Sequence, residues 1–240
     1  KNLYPKAGCV VSVSKGVKDD LIENYGISEE QSVVIHNPVE IDRIQVLAKE
    51  EVEHHWFKEG RPVIIACGRL RATKNYPLLL RAFTIASKET DGLRLVILGE
   101  GPLKQELIAY TEELSISDKV AFMGFQKNPF NFMSHAAAFV LSSWYEGFGN
   151  VIIEAMACGA PVVSTKCPTG PDEIITDGVN GILVTVDDDA GMADAILRLL
   201  KDEDLRMRIA KAGRKRAMDF SVERKVLEYE RIFREVVSVI

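Results

Sequence analysis

The feature that most constrains this chain is the regular alternation of short β-rich runs with helical periods. Runs rich in apolar and β-branched residues fall at 9–13, 32–36, 63–67, 93–98, 120–123, 138–142, 161–164 and 181–184. Between them, apolar spacing predicts helices near 17–25, 75–88, 102–114, 129–135, 150–158 and 171–176. The tail from 188 to 240 reads as helix throughout, in three pieces. Such β-α-β alternation is the pattern of an open parallel sheet with helices on both faces. A chain of 240 residues, 47% hydrophobic, suits one large domain or one domain plus part of another.

One boundary stands out. The stretch "KEEVEHHWFKEGRP" is charged and breaks before the strand that starts at Val63. Residues 45–60 are therefore expected to be a linker. Residues 1–44 read as a β-α-β piece too small to be a domain, residues 61–220 as the main domain, and residues 221–240 as a carboxyl-terminal helix. The chain begins at Lys1 without methionine, and is expected to be a piece of a longer protein.

In open α/β sheets, ligands collect outside the carboxyl ends of the strands. Here those ends carry Gly68-Arg69, Gly99-Glu100-Gly101-Pro102, Gly124-Phe125, Glu146-Gly147-Phe148-Gly149 and Thr165-Lys166-Cys167-Pro168. Glycines also serve simply to end strands. That use does not explain why the same edge gathers Arg69, Lys74 and Glu146.

Arg69 and Lys74 share one loop, "GRLRATKN". Two cations beside a helix amino terminus suit a diphosphate, the guanidinium binding in bidentate fashion and the ammonium as a point charge. The alternative is a solvated basic loop. In "WYEGFGNVIIEAMACGAP" a glycine turn opens a helix over 150–158 whose free N–H groups and positive dipole end favour an anion. Asn150 reads as its N-cap.

Glu154 is the one charge in that apolar helix, about one turn in, and Glu146 lies in the loop before it. A carboxylate there can form a buried ion pair with an arginine, or accept the two hydroxyl hydrogens that a ribose offers; the residues alone leave both open.

Other features carry less. "GEGP" at 99–102 lacks the third glycine of a dinucleotide fingerprint, which disfavours a dehydrogenase, and reads as a helix-start turn. Asp187-Asp188-Asp189 precedes a helix and reads as capping rather than as a metal cluster. His36, His54, His55 and His135 form no ligand set, and Cys9, Cys67, Cys158 and Cys167 have no metal-ligand spacing; reduced thiols suit a cytoplasmic setting. The net charge of −5 argues against a dedicated nucleic-acid binder. No apolar run approaches the roughly 18 residues of a membrane span.

Taken together, "GRLRATKN", "LGEGP", "FMGF", "SSWYEGFGNVIIEAMACGAPVVST" and "GPDEIITDGVNGILV", in this order over 62–185, resemble the retaining, nucleotide-sugar-dependent glycosyltransferases of GT-B fold. More narrowly, they resemble the large family with two glutamates separated by seven residues that builds bacterial polysaccharides, lipopolysaccharides and other glycans. "VVSVSKGVKDDL" and "VVIHNPVEID" are similar to that family's passage from its first domain to its second.

The resemblance implies that Glu146 contacts donor-sugar hydroxyls near the reacting carbon and that Glu154 takes the ribose hydroxyls. Arg69 and Lys74 would hold the diphosphate, with Gly68, Gly99 and Gly101 in the surrounding turns. The backbone of Gly147, Phe148, Gly149, Asn150 and Val151 would cradle sugar and phosphate, and Gly124, Phe125 and Gln126 would lie where the base is read. Glu146, Arg69 and Lys74 are thus the expected catalytic residues.

The resemblance further implies no bound metal and no cofactor, with a UDP-sugar as donor in preference to a GDP-sugar. The acceptor, a glycan or lipid-linked glycan, would be bound by an amino-terminal domain of which residues 1–44 are the last β-α-β. The full-length enzyme would be cytoplasmic, with peripheral contact at the inner membrane face. The isolated chain would be inactive in transfer and prone to self-association. A sugar-nucleotide epimerase on the same scaffold and a non-catalytic nucleotide-binding module remain the alternatives.

Overall fold

A computed structural model describes residues 4–237; residues 1–3 and 238–240, the outermost parts of the expected first piece and last helix, lie outside the described residues. The strands are β1 (Val10–Ser12), β2 (Ser32–Val34), β3 (Val63–Cys67), β4 (Arg94–Leu98), β5 (Val120–Gly124), β6 (Ala138–Leu141), β7 (Val162–Thr165) and β8 (Ile182–Val184). β3 to β8 form one six-stranded parallel sheet in the order β5-β4-β3-β6-β7-β8. Its central strands read VIIAC, RLVIL, AFVL and VVST. Such unbroken apolar runs, without alternation, are what strands covered on both faces require.

The helices are α1 (Lys15–Tyr25), α2 (Ile41–Leu47), α3 (His55–Lys58), α4 (Tyr76–Glu89), α5 (Lys104–Glu113), α6 (Phe130–Ser134), α7 (Asn150–Cys158), α8 (Pro171–Ile174), α9 (Asp189–Lys201), α10 (Glu203–Ala217) and α11 (Val222–Val237). α4, α5 and α9 cover one face of the sheet, where Leu79, Phe83 and Ile196 are buried against Ile64 and Val163. α2, α6 and α7 cover the other, where Ile44, Phe132 and Ile153 meet Ile65 and Phe139. Each buried aliphatic or aromatic side chain contributes about 1.5–3 kcal/mol, so the two layers hold the strand ends in place.

The chain order reverses between β3 and β6, the middle neighbours of the sheet. β3 feeds α4 on one face, and β6 feeds α7 on the other. A crevice opens between their carboxyl ends, the usual ligand position in such sheets.

The first unit is separate: β1 pairs in parallel with β2, Val10 opposite Ser32, with α1 between them. Val39 ties this unit to the chain's far end by a bridge to Ser221 and an N–H donated to Phe220 O at 2.8 Å.

Two features differ from the sequence expectation. The stretch 45–60, read as a linker, begins inside α2 and contains α3, and Ile44, Val52 and Trp56 are buried in the core. The helix expected from 102 begins at Lys104, with Pro102 in the turn before it. The helical tail is three helices, as expected; extended backbone at Asp202 separates α9 from α10, and its carboxylate accepts from Leu205 N at 2.8 Å.

Candidate active site

The loop after β3 ends in a single 3-10 turn, Ala72–Lys74, followed by Asn75 in the left-handed region at φ 46°. Asparagine tolerates that conformation better than most residues. Its buried side chain is held by Asp187 Oδ1, 2.9 Å from Nδ2. This fixes the point from which Lys74 leaves. Ser142, at the end of β6, donates to Lys74 O at 2.8 Å, and Trp144 N donates to Thr73 O at 2.9 Å, so the loops after β3 and β6 are stitched together.

Lys74 Nζ lies 2.5 Å from Glu146 Oε1, and the side chains are only 21% and 11% exposed. Ser143 Oγ donates to the same carboxylate oxygen at 2.6 Å. The Glu146 carbonyl accepts from Thr169 Oγ1, and Thr165 Oγ1 donates to Ser143 O at 2.6 Å. Glu146 is therefore held from three sides before any ligand arrives. Arg69 stands exposed at the rim, and its side chain has no ion pair or hydrogen bond among the described residues, which leaves the guanidinium open to an anion.

α7 starts directly after Gly149, which sits at φ 99° as the N-cap residue and offers no side-chain cap. The amino-terminal N–H groups of α7 thus face the crevice without a side-chain oxygen of their own. Asn150 is the first helical residue instead of the expected N-cap, and its Oδ1 accepts from Asn37 Nδ2 at 3.0 Å. Gly147 is exposed, Phe148 is buried, and Val151 is half-buried in the first turn. The Phe148 ring is buried against His36 and Phe220, so what it offers a ligand is its backbone.

Glu154, in the second turn of α7, has no hydrogen bond or ion pair among the described residues. The arginine partner that one reading required is not there. Burial holds its carboxyl above the ordinary carboxylate range. Its surroundings identify its place: the Cys67 thiol, at the end of β3, is pushed up to about 12 by burial and then by the Glu154 carboxylate, against the pull of Lys74. Cys158, four residues further along α7, is also pushed up to about 12, by burial and again by Glu154. Glu154 and Lys74 thus both lie near enough to Cys67, at the end of β3, for their charges to act on its thiol.

Beside it lies a cleft of about 370 Å³ lined by Gly68, Arg69, Gly99, Phe125 and Gln126, together with Cys67, Glu100 and Pro129, which the sequence reading did not single out. Its floor is a row of strand ends: Gly68 N donates to Leu98 O at 2.9 Å and Gly99 N to Gly124 O at 2.8 Å. Gly99 is required here, since at φ 130° a Cβ would stand 2.1 Å from Gly68 O. Gly101 lies behind the wall, packed on the Leu70 backbone. Phe125 is 76% exposed at the mouth, and Gln126 Nε2 donates to Met123 O at 2.7 Å. The arrangement offers an apolar slot for a flat ring, then a carboxylate, then cations.

The structure therefore brings Gly68, Arg69, Lys74, Gly99, Gly124, Phe125, Gln126, Glu146, Gly149 and Glu154 to one edge of the sheet. Ser143 and Thr169 were missed. The Ser142-Ser143 pair at a strand end, one turn from a glutamate, was the available signal. Asp188 Oδ1 accepts from Gly191 N at 2.8 Å and caps α9 as expected, whereas Asp187 holds Asn75 and Trp144.

Residues 48–216 match the family model described as glycosyl transferases group 1, and residues 1–43 match that of Glycosyltransferase Family 4. The chain is 37% identical over 230 residues to the N-acetylgalactosamine-N,N'-diacetylbacillosaminyl-diphospho-undecaprenol 4-alpha-N-acetylgalactosaminyltransferase of Campylobacter jejuni, covering 95% of this chain and 61% of that protein. It is 32% identical over 185 residues to the N-acetyl-alpha-D-glucosaminyl L-malate synthase of Bacillus anthracis, covering 77% of this chain and 48% of that protein. Among solved structures, a glycosyltransferase from Rickettsia africae superposes with a TM-score of 0.85 at 23% identity, over 97% of this chain and 64% of that one. HepE of Anabaena, solved with UDP and glucose, gives 0.82 at 23%, over 99% of this chain and 65% of that one. The chain spans less than two thirds of the Campylobacter relative.

Proposed function

The chain belongs to the glycosyl transferases group 1, and on that premise we propose that it is the donor-binding half of an enzyme that moves a sugar from a nucleoside diphosphate, a UDP-sugar, to a glycan or lipid-linked acceptor with retention of configuration. The observation that carries this reading is Glu154: a carboxylate without a side-chain partner among the described residues, held above its ordinary range by burial, whose charge is felt by Cys67 on the wall of an apolar cleft that Arg69 also lines, and with Lys74 acting on the same Cys67. A ribose diol in that position supplies two hydroxyl donors to a carboxylate that lacks them. Hydrogen bonds to a charged group stabilise by about 1.5–3 kcal/mol. The base then fits the slot at Gly99 and Phe125, and the diphosphate reaches Arg69, Lys74 and the start of α7. The printed names of the relatives, a sugar transferase acting on a diphospho-undecaprenol compound and a protein solved with UDP and glucose, support the same class of donor and acceptor.

In the proposed reaction the acceptor hydroxyl oxygen bonds to the anomeric carbon on the face the diphosphate leaves. The carbon–oxygen bond to phosphate breaks, and the hydroxyl proton passes to the departing phosphate oxygen. Negative charge grows on the diphosphate, where Arg69 and Lys74 wait, and positive charge on the sugar, where Glu146 is already oriented by Ser143. No residue is assigned as a nucleophile, and no metal is needed to neutralise the leaving group.

Calorimetric titration with UDP, GDP and ADP in the presence of chelator tests the reading. UDP is expected to bind. Failure of every nucleotide to bind at millimolar concentration would overturn it.

A further inference from the structure

Two consecutive residues of the first unit grip the two residues that flank Gly149. The His36 ring lies flat on the Phe148 ring, with centroids 4.7 Å apart and planes 12° apart. Asn37 Nδ2 donates to Asn150 Oδ1 at 3.0 Å. Phe148 is 2% exposed, and Phe220 closes the cluster with its ring 5.5 Å from Phe148 and 5.6 Å from His36.

His36 is itself anchored. Its Nε2 lies 2.9 Å from Glu173 Oε2, and the two oxygens of that carboxylate accept the Lys15 N–H, at 2.8 and 3.0 Å, where α1 begins. Glu173 thus joins the start of α1, the second residue after β2, and α8 of the main domain.

The glycine turn between these grips has little hold on itself. Gly147 has open space where a Cβ would stand, and Gly149 lies at positive φ without a side-chain cap for α7. The placement of the N–H groups at the start of α7 is therefore set from outside the turn: Gly170 packs on the Phe148 backbone, Thr169 holds the Glu146 carbonyl, and the flat face of His36 covers the Phe148 ring.

We propose that His36 is a positioning residue for the sugar-diphosphate part of the site: stacked on Phe148 and moored to Glu173, it fixes the 147–149 turn and passes any displacement of the first unit to the donor. This inference rests on the donor-binding reading above. Its logic is mechanical. On that reading the nucleoside is held at the cleft and by the Glu154 side chain further along α7, whereas the sugar and the phosphate next to it meet the turn itself. Loss of the His36 ring should therefore cost the sugar nucleotide more affinity than it costs UDP.

The test uses the whole chain as wild type, His36→Ala and His36→Phe. Phenylalanine keeps an aromatic face for Phe148 but not the nitrogen facing Glu173. Two quantities are measured: amide hydrogen exchange at 147–151 without ligand, and the affinity for UDP against that for UDP-glucose and UDP-N-acetylglucosamine. His36→Ala is expected to speed exchange about three- to ten-fold, the range for losing one aromatic pair, and to lower the sugar-nucleotide affinity relative to UDP by a similar factor. His36→Phe is expected to restore both. A folded His36→Ala chain with unchanged exchange and an unchanged affinity ratio overturns the positioning role alone. A wild-type chain that binds neither UDP nor a UDP-sugar overturns the donor-binding reading, and this inference with it.

Discussion

Lys74 Nζ and Glu146 Oε1 stand 2.5 Å apart, so the cation assigned to the diphosphate and the carboxylate assigned to the sugar form one neutral unit in the free site. Under the proposed function, donor binding would divide that unit, with Lys74 turning part of its charge to phosphate and Glu146 exchanging part of its contact for sugar hydroxyls. The Ser143 hydroxyl, 2.6 Å from the same oxygen, keeps Glu146 in place while this happens.

Glu146→Gln follows from that pairing. It releases Lys74 from its counter-charge without emptying the space. UDP affinity is expected to stay within a few-fold of wild type or to rise, because the nucleotide is held elsewhere. Turnover of the full-length enzyme is expected to collapse by about 100-fold or more, the scale for losing a group placed at developing charge. Titration of this chain and an initial-rate assay of the full-length protein separate the two effects. Near-normal turnover would remove Glu146 from the reacting sugar.

Glu154→Gln has opposite effects on binding and on stability. UDP affinity is expected to fall by about 1–3 kcal/mol, and 2′-deoxy-UDP to distinguish the two proteins much less. Stability goes the other way. Burial raises the folded-state pKa above the ordinary 4.5, so the folded chain binds this proton more tightly than the unfolded chain. The stabilisation from that proton is complete below the unfolded value and is lost as pH rises through the folded one. As pH rises through the folded value, the wild type therefore gains charge on a half-buried carboxylate, which glutamine does not. The variant should melt higher at pH 7, with the gap closing toward about pH 4. A lower melting temperature at pH 7 would contradict the unpaired state of Glu154.

Gly99→Ala tests the cleft floor. A Cβ there would stand 2.1 Å from Gly68 O, and the backbone sits at φ 130°, so neither the neighbour nor the residue can yield cheaply. Backbone conformations this unfavourable for alanine cost about 1–3 kcal/mol before the clash is counted. Denaturant melts should show at least that loss, along with weakened nucleotide binding as β3 and β4 part. Gly147→Ala, which meets nothing within 4 Å, is the control and should cost little stability.

The sheet was legible because its strands are covered on both faces. β3, β4, β6 and β7 are short, mostly apolar runs without alternation. α2 and α3 were not legible. α2 is only two turns long, inside a stretch that reads as charged, and α3 is a single turn around Trp56, so their burial depends on α6 and α7, which no local pattern reveals. The same division runs through the site. Arg69, Lys74, Glu146 and Glu154 drew notice because their charges sit at strand ends or inside an apolar helix. Thr169 and Ser143 did not, because ordinary hydroxyl residues gain meaning only once sheet order brings β6 and β7 side by side. His36 and Phe148 are separated by more than a hundred residues, and only the folded chain stacks them.

The last helix leaves an apolar strip exposed. α11 buries Ile232 and half-buries Tyr229 and Val236, yet it leaves Val226, Leu227, Phe233 and Val237 exposed, with Leu227 and Phe233 each at 65%. Val226, Phe233 and Val237 recur at helical spacing, so they form a stripe rather than scattered single residues. An apolar strip on a single helix, with charges Arg224, Glu230, Arg231 and Arg234 beside it, is a ready surface for association. The chain is expected to self-associate at tens of micromolar, measured by light scattering or sedimentation. Leu227→Lys together with Phe233→Glu is expected to return it to a monomer with UDP affinity unchanged, since neither residue lies near the crevice. A wild-type chain that stays monomeric at high concentration would show that this stripe is tolerated as ordinary surface.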